Sequence, residues 1–329
     1  MTTNTIQGVS LHSGHHTTVR VERAAVGKGW TFWRNGVAIP ATIEHAVPGK
    51  RGRTLLERKG YQVEVTEHVL AALMILRLQG HDVDDVDVHV DGCELPILDG
   101  SVRPWVEFIR TNLDLPRDLA DRRTASSLEW LTPAQKISHS YRMCSIQVSP
   151  GDPEDPSLEI AADASFHPQF TRYRPAGEYA FSFNSRDPGQ LETIARMPTF
   201  YWQPLQDLME QVDKQKAVYE NNEEVTDPMY QGASEYNIVT PIQCDSTYMW
   251  DLADRNLCRE TAIAQFNPAA HKVADFLGDL ALMMNLPIAD GSGSQRRYDC
   301  LNAHVSLLRN GHQDNQKVMR SLLSATIAS

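Results

Sequence analysis

Two stretches of this chain read as strongly apolar helices. Residues 66–80 read Thr-Glu-His-Val-Leu-Ala-Ala-Leu-Met-Ile-Leu-Arg-Leu-Gln-Gly, and residues 269–285 carry Val273, Phe276, Leu277, Leu280 and Met284 at helical spacing. Apolar residues recurring three and four apart mark a helix. The first stretch leaves so little polar face that its helix is expected to be mostly buried. Thr66 stands where a hydroxyl can accept an early helical N–H, and Gly80 stands where a positive φ can end the helix. Each helix carries a histidine in its first turn, His68 and His271. The surroundings also echo each other. Strand-like segments at 17–22, 30–33, 37–39 and 86–90 accompany the first helix, and segments at 142–148, 158–166, 178–183 and 236–242 accompany the second. Shorter helices are expected at 105–110 and 188–196, and residues 203–230 are polar and helix-compatible. The spacing predicts a duplication, with domains at 1–125 and 126–329 joined by a linker within 113–135.

Composition narrows the function classes. The chain has 329 residues, 31 basic and 42 acidic, for a net charge of −11. A general nucleic-acid binder carries a basic face, so no nucleic-acid partner is expected, although a local basic pocket can still meet an anionic ligand. No stretch approaches the roughly 18 apolar residues of a membrane span. No transmembrane segment is therefore expected, and peripheral membrane contact stays open. The start of the chain, residues 1–8, has no apolar signal core. Five scattered cysteines without a Cys-x-x-Cys pair read as reduced thiols of a cytoplasmic protein.

The chemistry concentrates on the two helices. His271 and Asp275, four residues apart, share a helix face, and an imidazole with a carboxylate supplies two ligands of a zinc site. His68, opening the matching helix, is the natural third ligand. Glu67 beside it can take a proton from an activated water without ligating the metal. The same spacing also suits an exposed ion pair or a cap, so spacing alone leaves both readings open. His15, His16, His45, His81 and His89 read as solvated, and Lys50-Arg51-Gly52-Arg53 reads as a solvated turn or an anion site. There is no His-Glu-x-x-His, no Gly-x-Ser-x-Gly and no complete dinucleotide fingerprint.

Several blocks in order resemble the UDP-3-O-acyl-N-acetylglucosamine deacetylases, the zinc enzymes of lipid A synthesis. They are Gly8-Val9-Ser10-Leu11-His12-Ser13-Gly14, Thr66-Glu67-His68, Glu94-Leu95-Pro96-Ile97-Leu98-Asp99-Gly100-Ser101, Phe166-His167-Pro168, Thr199-Phe200, Gly232-Ala233-Ser234 and His271-Lys272 through Gly278-Asp279-Leu280. The resemblance implies an α+β fold of two similar domains, each a sheet packed on helices, with the helices of both sandwiched between the sheets. It implies zinc on His68, His271 and Asp275, with Glu67 as general base. It implies Thr199 at the oxyanion, Lys272, Phe200, Ser234 and Arg196 at the substrate, and a late catalytic histidine. His304 is preferred for that last role over His312, which follows Gly311, because its distance from His271 is nearer the family spacing. The implied reaction removes acetate from a nucleotide-sugar lipid. Deacetylation of another N-acetylated nucleotide sugar, or a non-catalytic binding role, is the alternative. Departures from the family pattern are Met197-Pro198, the long polar stretch 203–231 and the extension 245–267, which leave the acyl specificity and the oligomeric state open.

Overall fold

The computed structural model describes residues 4–327 apart from 48–51, 117–126, 166–178, 202, 221–229, 245–246, 252–265 and 290–294. The expected domain boundary at 125/126, much of the linker, the block 166–168, Lys50 and Arg51, and most of the extension 245–267 lie outside the described residues.

The duplication is visible in the sheets. The first has five strands in the spatial order Thr5–Val9, His16–Arg23, Val86–Val90, Trp30–Arg34, Val37–Pro40. The second runs Ile137–Tyr141, Cys144–Pro150, Ala303–Leu308, Leu158–Asp163, Ala180–Asn184. In both, the strand that is last in sequence enters the middle. It pairs antiparallel with the second strand and parallel with the third. A long helix precedes that central strand in each half and a second helix follows it: α1 (Glu67–Leu78) and α2 (Arg103–Asn112) in the first. In the second half, α3 (Pro188–Arg196) and α4 (Leu205–Glu220) are additions. They come before α5 (Pro268–Met284) and α6 (His312–Ile327), which match α1 and α2. The fold is α+β, with the helices of both halves between the two sheets.

The expected burial of the first apolar helix holds, and the second is buried as well. In α1 every residue from Glu67 to Arg77 is buried, and in α5 only Lys272 is not. Burying each Leu, Ile, Val or Met side chain contributes roughly 1.5–3 kcal/mol, so these helices anchor one continuous core that spans both halves. The ends of α1 are less regular than expected. Gly80, at φ 82°, ends it, with Gly80 N donating to Arg77 O and His81 N to Leu76 O, the paired bonds of a glycine C-cap. Thr66 does not cap. Its backbone is already helical, and its hydroxyl donates to Thr54 O at 3.4 Å instead. His81, read as solvated, is buried because the chain turns inward after that cap. The α5 start is regular: the Asn267 side chain accepts from Ala269 N at 2.9 Å, and Pro268 occupies the first turn.

The closest approach of the two central helices fixes the site. α5 crosses the start of α1 at Gly278, where an added Cβ would lie 2.3 Å from Glu67 O. No side chain fits there, and the obstruction is backbone. Gly278→Ala is expected to cost about 1–3 kcal/mol through overpacking, read as a lower denaturation midpoint. A variant as stable as the parent would show that this contact is not tight.

Candidate metal centre

Starting α1 and α5 side by side brings their first turns together. His68, His271 and Asp275 each offer a ligand atom, and the three atoms lie within 4.8 Å of one another. All three residues are about 3% exposed. The His68 and His271 rings meet edge-on, 5.5 Å apart at 89°. His271 Nδ1 donates to Met197 O at 3.0 Å. A carbonyl only accepts, so in the neutral ring the proton is on Nδ1 and the lone pair is on Nε2. That lone pair faces Asp275 Oδ1 at 3.3 Å, and two acceptors face each other in a buried space. Burial is the main cause that pushes the His68 imidazole down to about 3, and burial also lowers His271. Burial alone would raise Asp275, but His271, Lys272 and His312 outweigh it and hold the carboxyl well below the usual range. His68 Nδ1 is buried with no hydrogen-bond partner. Two neutral imidazoles and one carboxylate, with an orphaned nitrogen among them, fit a zinc ion. The carbonyl on His271 Nδ1 is the kind of partner that orients a ligating ring.

Beside this trio stands a second pair. Burial pushes the Glu67 carboxyl up to about 7, against the opposing pull of His312. Its Oε2 accepts from Thr54 N at 3.0 Å. His312 opens α6. Its Nε2 lies 3.9 Å from Glu67 Oε1 and 3.8 Å from Asp275 Oδ2, and its Nδ1 lies 2.8 Å from Asp279 Oδ2. Burial opposes the charged imidazole, but Asp279, Asp275 and Glu67 raise it to about 10. Asp279 is fully buried and accepts from Thr54 Oγ1 (2.6 Å), His312 Nδ1 (2.8 Å), Asn315 Nδ2 (2.8 Å) and Gln316 Nε2 (3.3 Å). Thr54 therefore ties Glu67 and Asp279 into one network.

Glu67, His68, His271, Lys272, Asp275 and His312 all line one cavity of about 370 Å³. The sequence profile of a family described as UDP-3-O-acyl N-acetylglycosamine deacetylase matches residues 2–225. The chain belongs to this family. It is 32% identical over 187 residues to UDP-3-O-acyl-N-acetylglucosamine deacetylase of Myxococcus xanthus, covering 52% of this chain and 57% of that protein. It is 28% identical over 332 residues to the like-named protein of Anaeromyxobacter dehalogenans, covering 96% and 84%. It is 29% identical over 287 residues to that of Thermosynechococcus vestitus, covering 86% and 83%. The chain thus spans little more than half the length of the Myxococcus relative.

The deacetylase-family residues do not all gather here. Thr199 and Phe200 line the cavity. The Thr199 hydroxyl donates to Gly100 O at 2.9 Å. Phe200 meets His271 edge-on, with Lys272 Nζ 5.6 Å from its ring centre. Lys272 Nζ also reaches Asp275 Oδ2 at 2.8 Å. Arg196 and Ser234 do not line the cavity. Arg196 pairs with Glu192 on its own helix at 2.6 Å, and Ser234 Oγ accepts from Tyr236 N. The preference for His304 over His312 is corrected. His304 lies mid-strand in Ala303–Leu308, where Ala303, Val305 and Leu307 face the core, so alternation turns it outward. Its side chain is 57% exposed and paired with Glu159 at 3.0 Å, and it does not line the cavity that holds His68, His271 and Asp275. Asp279 and Thr54 carry no assigned role in the sequence reading. A signal existed for Asp279, because His271, Asp275 and Asp279 fall every fourth residue on one stripe of an apolar helix. Thr54 acts partly through its backbone and has none.

The electrostatics predict a titration. In the metal-free protein the His312 ring, followed by NMR, should stay protonated through neutrality and lose its proton near 10. The charged ring then contributes stability that is complete below its ordinary pKa of 6.5 and is lost as pH rises through about 10. Asp279→Asn should lower that midpoint; an unchanged midpoint would remove Asp279 as the cause.

Proposed function

We propose that this chain is a zinc-dependent amidohydrolase that removes the N-acetyl group of a UDP-3-O-acyl-N-acetylglucosamine, the deacetylation of lipid A biosynthesis, in the cytoplasm. The observation that carries the reading is the buried pair of facing acceptors, His271 Nε2 and Asp275 Oδ1. They form one donor set with His68 and share one cavity with Glu67 and His312. Membership of the deacetylase family and the names of the relatives support the substrate class. The site sits where the two halves meet, at the junction of the two proposed domains.

Zinc on His68, His271 and Asp275 would supply Lewis acidity, lowering the pKa of water toward about 7 and polarising an amide carbonyl. The chain's own groups supply the proton transfers. Glu67, poised near 7, is matched to take a proton from the attacking water. His312, held charged, is placed to stabilise negative charge on the acetamide oxygen and to donate a proton to the departing amine. Asp279 orients the charged His312 ring by accepting from its Nδ1, which leaves Nε2–H directed toward Glu67 and Asp275. Lys272, at the edge of the cavity and half-exposed, is the cation available to the anionic part of a nucleotide sugar.

Three variants test the roles. Glu67→Gln should keep its zinc and lose about 10²–10⁴ in kcat. Asp275→Ala should lose zinc and turnover together. His312→Ala should lose most turnover, while His304→Ala keeps it. The assay is acetate release from the acylated UDP-sugar, with and without a chelator. Chelator-insensitive turnover, or full activity in Glu67→Gln, would refute the reading.

A further inference from the structure

Glu67 and His312 act on one substrate from different halves of the molecule. Glu67 opens α1 of the first half, and His312 opens α6 of the second. Glu67 Oε1 and His312 Nε2 lie 3.9 Å apart. Groups that transfer protons at one reacting centre must be placed closely, since a misplacement of about 1 Å can cost about 10²-fold in rate. The register between the two halves therefore matters to the reaction, and one residue outside the cavity bonds to both sides of it.

That residue is Thr54. Its backbone N donates to Glu67 Oε2 at 3.0 Å, and its hydroxyl donates to Asp279 Oδ1 at 2.6 Å. An ionised carboxylate only accepts, so the hydroxyl proton is committed to Asp279. Gln316 Nε2 approaches the same Oδ1 at 3.3 Å, so the threonine makes the shorter of the two bonds. Oδ2 is then left to His312 Nδ1 and Asn315 Nδ2, each at 2.8 Å. The hydroxyl thus sets how the Asp279 carboxylate is turned toward the His312 ring. Thr54 Oγ1 also lies 3.3 Å from His312 Nδ1 itself.

Thr54 is fixed on its own account. It is wholly buried, and its branched side chain restricts χ1. Its carbonyl accepts from Thr66 N at 3.3 Å and from the Thr66 hydroxyl at 3.4 Å, next to the start of α1. Directly after it, Leu55–Arg58 and Tyr61–Glu64 form an antiparallel hairpin that returns the chain to α1, with Leu55 opposite Glu64. Arg53 closes the same end through a buried ion pair with Glu64 at 2.6 Å. Thr54 does not line the cavity, so any effect on the reaction passes through its neighbours.

We propose that Thr54 is a positioning residue for the deacetylation. Its hydroxyl holds the Asp279 carboxylate, and through it the His312 ring, in register with the Glu67 carboxylate that its own backbone N holds. The inference rests on the deacetylase reading above and adds a residue that serves the reaction without reaching the substrate.

The test is kcat and KM for acetate release from the acylated UDP-sugar by the zinc-loaded full chain. The variants are Thr54→Val, Thr54→Ser, Asp279→Asn and the double variant Thr54→Val with Asp279→Asn. Thr54→Val keeps the shape and removes the donor. Its kcat should fall about 10–100-fold, the loss that a hydrogen bond to a charged group carries, with KM within about twofold of the parent and zinc retained. Thr54→Ser keeps the hydroxyl and should recover kcat to within about threefold of the parent. Adding Thr54→Val to Asp279→Asn should cost less than about twofold more, because the two act through one bond. An unchanged kcat in zinc-loaded Thr54→Val overturns this inference and leaves the deacetylase reading standing. So does a loss confined to KM, a serine variant as slow as the valine variant, or a double variant whose loss is the product of the single losses. Absent or chelator-insensitive turnover in the parent overturns both. One measurement needs no variant and stands even where Thr54→Val does not fold. In the parent, the buried and donated Thr54 hydroxyl proton should exchange slowly enough to be seen by NMR, and a proton in fast exchange with water overturns the inference.

Discussion

The passage of α5 over the first turn of α1, backbone against backbone at Gly278 and Glu67, is the contact on which the rest of the molecule depends. Each helix belongs to a different copy of the same five-stranded unit, and each has its own sheet to pack on. Only the crossing puts His68 of one copy beside His271 and Asp275 of the other. A side chain at 278 would meet the Glu67 backbone, so the helices come this close only because residue 278 is glycine. Both helices are almost completely buried, and their polar first turns open only onto the cavity. Each polar group there must be satisfied by another or by an ion.

The polar groups of the crossing sort themselves by environment. Burial keeps His68 and His271 neutral, while the cations around Asp275 keep it ionised. Glu67 sits between these limits, and His312 is driven to the charged form by three carboxyl groups. Two histidines suited to be ligands and one suited to be an acid thus stand in one cavity, distinguished by their neighbours. Asp279 and Thr54 make the distinction durable: four donors converge on the Asp279 carboxyl, and Thr54 also reaches Glu67.

Much of this was legible in the sequence, for identifiable reasons. The two helices declared themselves by period and by lack of a polar face. That His68, His271 and Asp275 come together was legible because a four-residue spacing puts His271 and Asp275 on one face and the repeated order supplied His68. The sequence reading preferred His304, but His312 is the one that lines the cavity, because distance along the chain does not measure distance in space. The alternation Ala303-His304-Val305-Ser306-Leu307 already pointed His304 out of the core, and the glycine before His312 was the better guide. Thr66 reads as a cap, but its hydroxyl instead donates to the carbonyl of Thr54, twelve residues earlier. At Met197-Pro198, a departure from the family pattern, His271 uses only the backbone carbonyl of Met197, which any residue provides.

The central claim is that His68, His271 and Asp275 hold a metal ion. Anomalous diffraction at the zinc edge, from crystals of the zinc-loaded protein, tests it most directly. The account predicts one strong peak bonded to two imidazole nitrogens and one carboxylate oxygen of these three residues. A peak at the Glu22, Asp87 and His89 group on the first sheet instead, where Lys28 and Arg20 already engage the carboxylates, or no peak at the helix crossing, would contradict it.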